Sequence, residues 1–323
     1  MNSFLPHDIL SLARFAALLA VELTVGFGLQ YLDADRLNRF RSWGLSLAAT
    51  LIAHWITAGD PAGFRMIALI AALFLGMKAV VGVSARFAGG SPLSISQWFA
   101  FALFWPGMNP ELFRAVPRPR KGWKTLTAQG LLCGLAGAGL IAAAAPVWRV
   151  TGSTFAVTIL FFIGSSFLVH YGAFTLTAAF WRKRGLDCAP LFKNPFPSQS
   201  LGEFWGKRWN LAFSEMTALA VYRPLKDKLG PGQALFASFA LSGIFHEVAI
   251  SLPVKAGFGL PLAYFLLHFG LVALERLCAQ RGFLFRGTLG RLWVYFWLIA
   301  PLPILFHKPF LKGVVWPLIG AAL

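Results

Sequence analysis

Apolar runs long enough to cross a membrane alternate along this chain with shorter polar stretches. A helix needs about 20 mostly apolar residues to span the hydrocarbon core. Runs that meet or approach that length fall at 8–30, 43–58, 64–83, 126–145, 153–180, 233–252, 260–277, 292–306 and, more briefly, 310–323. They predict an all-α, polytopic integral membrane fold of about eight to ten transmembrane helices. The first run holds Arg14 and Glu22 and has neither a basic start nor a small-x-small site. It is therefore expected to be a first span, not a cleavable leader.

Two connecting regions break the rhythm. Residues 98–105 (WFAFALFW) are apolar and aromatic but too short to cross, and a basic run, Arg114 to Lys121, follows them. We expect 98–108 to be a re-entrant or interfacial element with Trp98 and Trp105 in the headgroup layer. The second, 181–232, is a long non-spanning segment of the kind that carries function. Charge then orients the chain. Loops 31–42, 84–125, 181–232 and 278–291 hold 21 Lys and Arg residues, against 3 in the alternate loops. The basic set is expected in the cytoplasm and the N-terminus outside.

Of the 323 residues, 57% are hydrophobic and 13% charged, whereas a soluble domain carries roughly 25% charged residues. This excludes a water-soluble globular, disordered or nucleic-acid-binding chain, because the net charge of +17 lies between apolar runs. Cys133, Cys188 and Cys278 form no CxxC pair and no even disulfide set. GxxxxGK[ST], HExxH, GxSxG and paired-Asp diphosphate motifs are all missing. Nucleotide hydrolysis, zinc proteolysis and prenyl transfer lose their usual support. Gly130, Gly134, Gly137 and Gly139 space small residues along one helix, a mark of close helix packing.

Ionisable groups inside spans are expensive and point to function. Arg65, Lys78 and Glu275 lie near span ends, where snorkelling explains them. Glu22, His54, His170, His246, Glu247 and His268 lie nearer span centres. For His54, His170 and His268, a packed ring bonded to a neighbouring carbonyl is the simpler reading. His246-Glu247 differs, as two adjacent polar groups in the apolar context Leu241-Ser-Gly-Ile-Phe-His-Glu-Val-Ala-Ile-Ser251. Neighbouring helical residues project about 100° apart, so one can face a reaction site while the other fixes the helix. Neutral histidine suits general-base work. Ser242, at i−4, more simply bonds its own helix than forms a nucleophilic pair with His246.

The other concentration runs from Asn194 to Asn210. Ser200 and Glu203 are spaced as a capping box. Phe204, Trp205 and Trp209 give the following helix an apolar side, and Lys207 and Arg208 give it charge. It reads as an amphipathic interfacial helix or, equally, as a dock for an anionic, adenine-bearing thioester.

At these residues the chain resembles the membrane-bound O-acyltransferase superfamily, in its wax synthase branch. The pattern is Ser-Leu-x-x-Phe-Trp-Gly-x-Arg-Trp-Asn at 200–210, Ser214, Val-Tyr-x-Pro at 221–224 and Ser-Gly-x-x-His-Glu at 242–247. Ala218-Leu219 departs from the Arg-Pro common in plant members, which bears on the substrate class more than on the reaction. The resemblance implies transfer of a fatty acyl group from acyl-CoA to the hydroxyl of a lipophilic alcohol, with wax ester as product. It implies His246 as general base and Asn210 as the motif asparagine, both catalytic. Trp205, Lys207, Arg208, Trp209, Ser242 and Glu247 are the expected acyl-CoA-binding residues. No metal or cofactor is expected beyond acyl-CoA as co-substrate.

The expected organisation is one membrane-embedded domain over 1–323, with 195–252 as its motif region. The expected location is a bacterial inner (plasma) membrane, with the motif loop cytoplasmic. Two other readings stay open: the same reaction on a sterol, glycerolipid or natural product, or a proton-coupled transporter. The latter would show related halves with broken helices at matching positions.

Overall fold

The computed structural model describes residues 2–283 and 286–320. Among the described residues there is no β-strand. The long helices are α1 (Ile9–Leu29), α2 (Arg36–Ile56), α3 (Ala62–Phe87), the ten-residue α4 (Ile95–Phe104), α5 (Trp123–Thr151), α6 (Thr154–Lys183), α7 (Pro231–Val254), α8 (Leu260–Gln280) and α9 (Gly287–Leu305). Among the described residues seven of them, all but α2 and α4, are long and apolar enough to cross a membrane. The chain is thus an integral membrane protein. α2 has 21 residues but opens on Arg36, Arg39 and Arg41. The run expected at 310–323 is not a span. It breaks into Lys308–Phe310, Leu311–Val315 and Trp316–Leu318, and its residues 321–323 lie outside the described residues.

Hydrogen bonds between distant loops define the two ends of the bundle. At one end Arg118 N donates to Gly185 O, Arg182 to Lys121 O and Gly287 N to Gln199 Oε1. At the other, His7 N donates to Asp60 and Lys255 Nζ to Ala58 O. The loops richest in Lys and Arg therefore gather at one end, as the alternation of spans requires.

Four side chains sit differently from expectation, for one reason: the core takes them in. Trp98 and Trp105 are 1% and 2% exposed, packed with Phe101 and Phe113 instead of lying in a headgroup layer. Trp98 Nε1 donates to Leu23 O at 3.0 Å, tying α4 to α1. Lys78 does not snorkel. Fully buried, it donates to the carbonyls of Trp105 and Gly107 and lies 3.9 Å from the Phe101 ring centroid. Arg65, also buried, donates to the carbonyls of Leu252 and Pro253 at the end of α7, where terminal carbonyls lack helical partners. Each cation satisfies carbonyls that would otherwise be costly to bury.

α5 and α6 meet through glycine. A Cβ at Gly137 would lie 2.4 Å from Leu168 N, and one at Gly172 would lie 2.9 Å from Gly134 Cα, whereas Gly139 faces open space. The sequence stripe thus marks a real close approach at three of its four positions, Gly130 included.

The helices are also widened locally. π-Helical turns occupy Ser166–Ala173, Phe204–Arg208, Ala218–Tyr222 and Glu247–Ser251. Such turns are rare and gather at functional sites.

Candidate active site

The segment 191–222 is held from several sides before it contributes any chemistry. Ser200 Oγ accepts from Glu203 N at 3.0 Å, as a helix cap requires. The reciprocal half of the expected box is displaced by one residue, with Glu203 Oε2 accepting from Gln199 N at 3.0 Å. Glu275 is not a snorkelling residue. From α8 it accepts from the amides of Leu201 and Gly202 at 2.6 and 3.0 Å and from Trp293 Nε1 at 2.9 Å, so one carboxylate joins three elements. Lys193 N donates to Arg208 O, and Leu211 N to Leu191 O, clamping 191–193 against 208–211.

Between this segment and helices α6, α7, α8 and α9 lies a cavity of about 620 Å³, within the range of small-molecule sites. Aromatic and aliphatic side chains make most of its wall. Phe192, Phe204, Trp205 and Trp209 come from the motif side, and Leu298, Leu302, Leu305 and Phe306 from α9 and the turn after it. Polar side chains are the minority of the lining, Asn210, Ser242 and His246 among them.

Hydrogen bonding assigns one free polar group to each of the two central residues. His246 Nδ1 lies 2.7 Å from Ser242 O. A backbone carbonyl only accepts, so Nδ1 carries the proton and Nε2 keeps its lone pair. The ring packs on Phe265, 4.3 Å between centroids. Asn210 has φ +45°, in the left-handed region that asparagine tolerates better than most residues. Its Oδ1 caps the helix Leu211–Thr217 by accepting from Phe213 N at 3.2 Å. With the oxygen so engaged, the side-chain NH2 is left to donate. One residue thus offers a base and the other a donor, beside the same apolar chamber.

The other expected residues divide. Trp205, Trp209 and Ser242 line the cavity. Trp205 Nε1 donates to His268 Nδ1 at 3.2 Å, and Trp209 stacks on Phe204. His268 is therefore a buried support for the motif, in keeping with the simpler reading of it. Lys207, Arg208 and Glu247 are not in the lining. Arg208 donates to Glu203 at 2.8 and 2.6 Å and to Asn194 O at 2.9 Å, which occupies its guanidinium, while Lys207 is exposed. The amide of Gln199 first, and that ion pair with it, holds the Glu203 carboxyl below its ordinary range. Glu247 Oε1 accepts from Gly259 N and Leu262 N at 2.8 and 3.0 Å. It supplies the cap that α8, preceded by glycine, lacks of its own.

Residues outside the expected set complete the wall. Arg276 from α8 and Tyr222 line it, as do His170 and Tyr264. Tyr222 stands inside the Val-Tyr-x-Pro motif. Arg276, in the polar tail of a span and far from the motif in sequence, carries no local signal that would single it out.

The class that fold and site define is a helical membrane protein with a polar pair set in a largely apolar cavity. Residues 188–267, which carry Asn210 and His246, match the model of the Membrane bound O-acyl transferase family. Over 70 residues the chain is 40% identical to "Probable long-chain-alcohol O-fatty-acyltransferase 6" of Arabidopsis thaliana. Over 72 residues it is 38% identical to "Long-chain-alcohol O-fatty-acyltransferase" of Simmondsia chinensis. It is also 40% identical over 70 residues to "Acyl-CoA--sterol O-acyltransferase 1" of Arabidopsis thaliana. Each alignment spans 20% of this chain and 20% of the relative.

Proposed function

We propose that this chain is a membrane-embedded, acyl-CoA-dependent O-acyltransferase that esterifies a lipophilic alcohol in the manner of a wax synthase. The observation that carries the reading is the pairing of His246 and Asn210 at one apolar cavity, Nε2 of the first and the amide of the second having no partner among the described residues.

In this reading His246 Nε2 takes the hydroxyl proton as the alcohol oxygen attacks the thioester carbonyl carbon, a contribution of about 10²–10⁴-fold. The Asn210 amide donates to the carbonyl oxygen as it gains charge, a role worth about 10²–10³-fold. The tetrahedral species collapses, the C–S bond breaks, and the imidazolium returns its proton to the departing thiolate. A thioester is already activated, so no acyl-enzyme is needed. The apolar wall from Leu298 to Phe306 takes the acyl chain and keeps out water, which would otherwise hydrolyse the thioester. To Arg276 we assign the contact with CoA phosphates, because it lines the cavity and Lys207 and Arg208 do not. The basic end faces the cytoplasm, with the N-terminus outside, in a bacterial inner membrane.

The test uses detergent-purified wild type, His246→Ala and Asn210→Ala with palmitoyl-CoA and a pool of fatty alcohols, sterols and diacylglycerol. Free thiol and lipid products are followed together. Ester from wild type, lost in both variants, is the expected result. The sterol-named relative keeps sterols in the pool. A wild type that neither binds nor consumes palmitoyl-CoA or acetyl-CoA overturns the reading in favour of a transporter.

A further inference from the structure

His170 lines the same cavity as His246 and Asn210, and the chemistry above gives it no part. It stands on a third element, the π-helical turn Ser166–Ala173 of α6. Both imidazoles thus border one chamber, His170 from α6 and His246 from α7.

The ring of His170 is fixed in place. It stacks on Phe192, 4.1 Å between centroids and 14° between planes, and meets Trp209 edge-on at 5.5 Å. Nδ1 and Ser166 Oγ are 3.0 Å apart. Nε2 takes no protein partner among the described residues, so the packed-ring reading accounts for one nitrogen and leaves the other free toward the chamber. Nδ1 can accept from Ser166 Oγ or donate to it; in the first tautomer the proton sits on Nε2 and makes it a hydrogen-bond donor.

Resting on the acyltransferase reading, we propose that His170 binds the acceptor alcohol. Its Nε2–H donates to the hydroxyl oxygen, whose own proton points to His246 Nε2. The carbonyl oxygen of the thioester already has Asn210 as its donor, and the aromatic surroundings of His170 suit an acceptor whose only polar group is its hydroxyl. His170 keeps its proton throughout; the hydroxyl proton passes to His246 and then to the thiolate. His170 thus sets which alcohols are used and where their oxygen sits.

The experiment is steady-state kinetics on purified full-length His170→Phe, His170→Gln and Ser166→Ala with palmitoyl-CoA and hexadecanol. Phenylalanine keeps the stack on Phe192 and removes the donor; glutamine restores a donor. Acceptor-independent release of CoA thiol is measured alongside. His170→Phe is expected to raise the KM for hexadecanol about tenfold or more. The KM for palmitoyl-CoA and the acceptor-independent release should stay within about twofold of wild type, and glutamine should recover part of the loss. An unchanged hexadecanol KM overturns the proposal, as does a parallel decline in both substrates and in CoA release, which marks a merely structural ring. Should His170→Phe fail to fold, Ser166→Ala decides: the same split in smaller measure supports the proposal, and no split overturns it. If wild type esterifies hexadecanol and these variants are unmoved, this inference alone falls. If wild type neither binds nor consumes palmitoyl-CoA, the acyltransferase reading falls with it.

Discussion

Asn210 caps a helix with one atom and, in the proposed reaction, serves the substrate with another, so the two tasks are separable. Its oxygen caps the helix Leu211–Thr217, while its amide is free for substrate. Asn210→Asp keeps an acceptor for Phe213 N but has no amide to give. We expect Asp to leave thermal stability in detergent near wild type while turnover falls about 10²–10³-fold. Ala, lacking both atoms, should lose the activity and about 1 kcal/mol of stability as well. Glu203 yields a second prediction at this scale. Its carboxyl is held below the ordinary 4.5 by the Gln199 amide and Arg208. A depressed carboxyl stabilises above its unfolded value, and that stabilisation is lost as pH falls through the folded one. Fluorescence of the motif tryptophans should therefore report loosening of the 194–208 region only below about pH 4.5, and Glu203→Gln should flatten that transition. A transition centred near neutrality would show that the ion pair is not what holds the region.

Elements meet here through a few positions with no room to spare. A Cβ on Gly243 would lie 2.6 Å from Leu262 Cδ1 and 2.9 Å from its Cα, so Gly243→Ala must push α7 and α8 apart. A cost of about 1–3 kcal/mol is expected, with reduced turnover, because the backbone of α7 carries His246. Gly139→Ala, with open space at its Cβ, should melt with wild type. Equal melting of the two variants would refute this account of the interface. The contrast also shows what a sequence can tell. Apolar runs placed nearly every long helix, because burial in lipid leaves its signature in each residue of a span. The motif residues Trp205, Trp209, Asn210, Ser242 and His246 converge as their joint pattern implied. Arg208 and Glu247 do not, for reasons of helical geometry. Arg208 reaches Glu203 five residues back, across a π-turn, where ordinary helix spacing looks only three or four residues away. Glu247 projects about 100° from His246 and finds α8. Arg276 and His170 were not legible as site residues, since only tertiary folding brings α8 and α6 to the motif.

For the whole molecule, loop-to-loop hydrogen bonds sort the connections into a basic end and its opposite. Charge bias predicts that the basic end is cytoplasmic. With the three native cysteines replaced by alanine, a cysteine at exposed Lys228 should resist a membrane-impermeant maleimide in intact cells and react after lysis. One at exposed Lys308 should react in both. The reverse pattern would invert the topology. The π-turns carry a consequence for how such a chain tolerates insertion and loss of residues. A π-turn holds one residue more than the α-turn it replaces, so removing that residue lets the helix close into regular form. Because one turn replaces one turn, the helix on either side keeps its facing, whereas a deletion in a regular α-helical stretch rotates everything beyond it by about 100°. Loss of one residue within Glu247–Ser251 would thus leave the rest of α7 facing as before, while the same loss between Pro231 and His246 would turn His246 against the start of its own helix. In this fold the harm done by a single deletion depends on whether it falls in a widened turn or in the regular helix beside it.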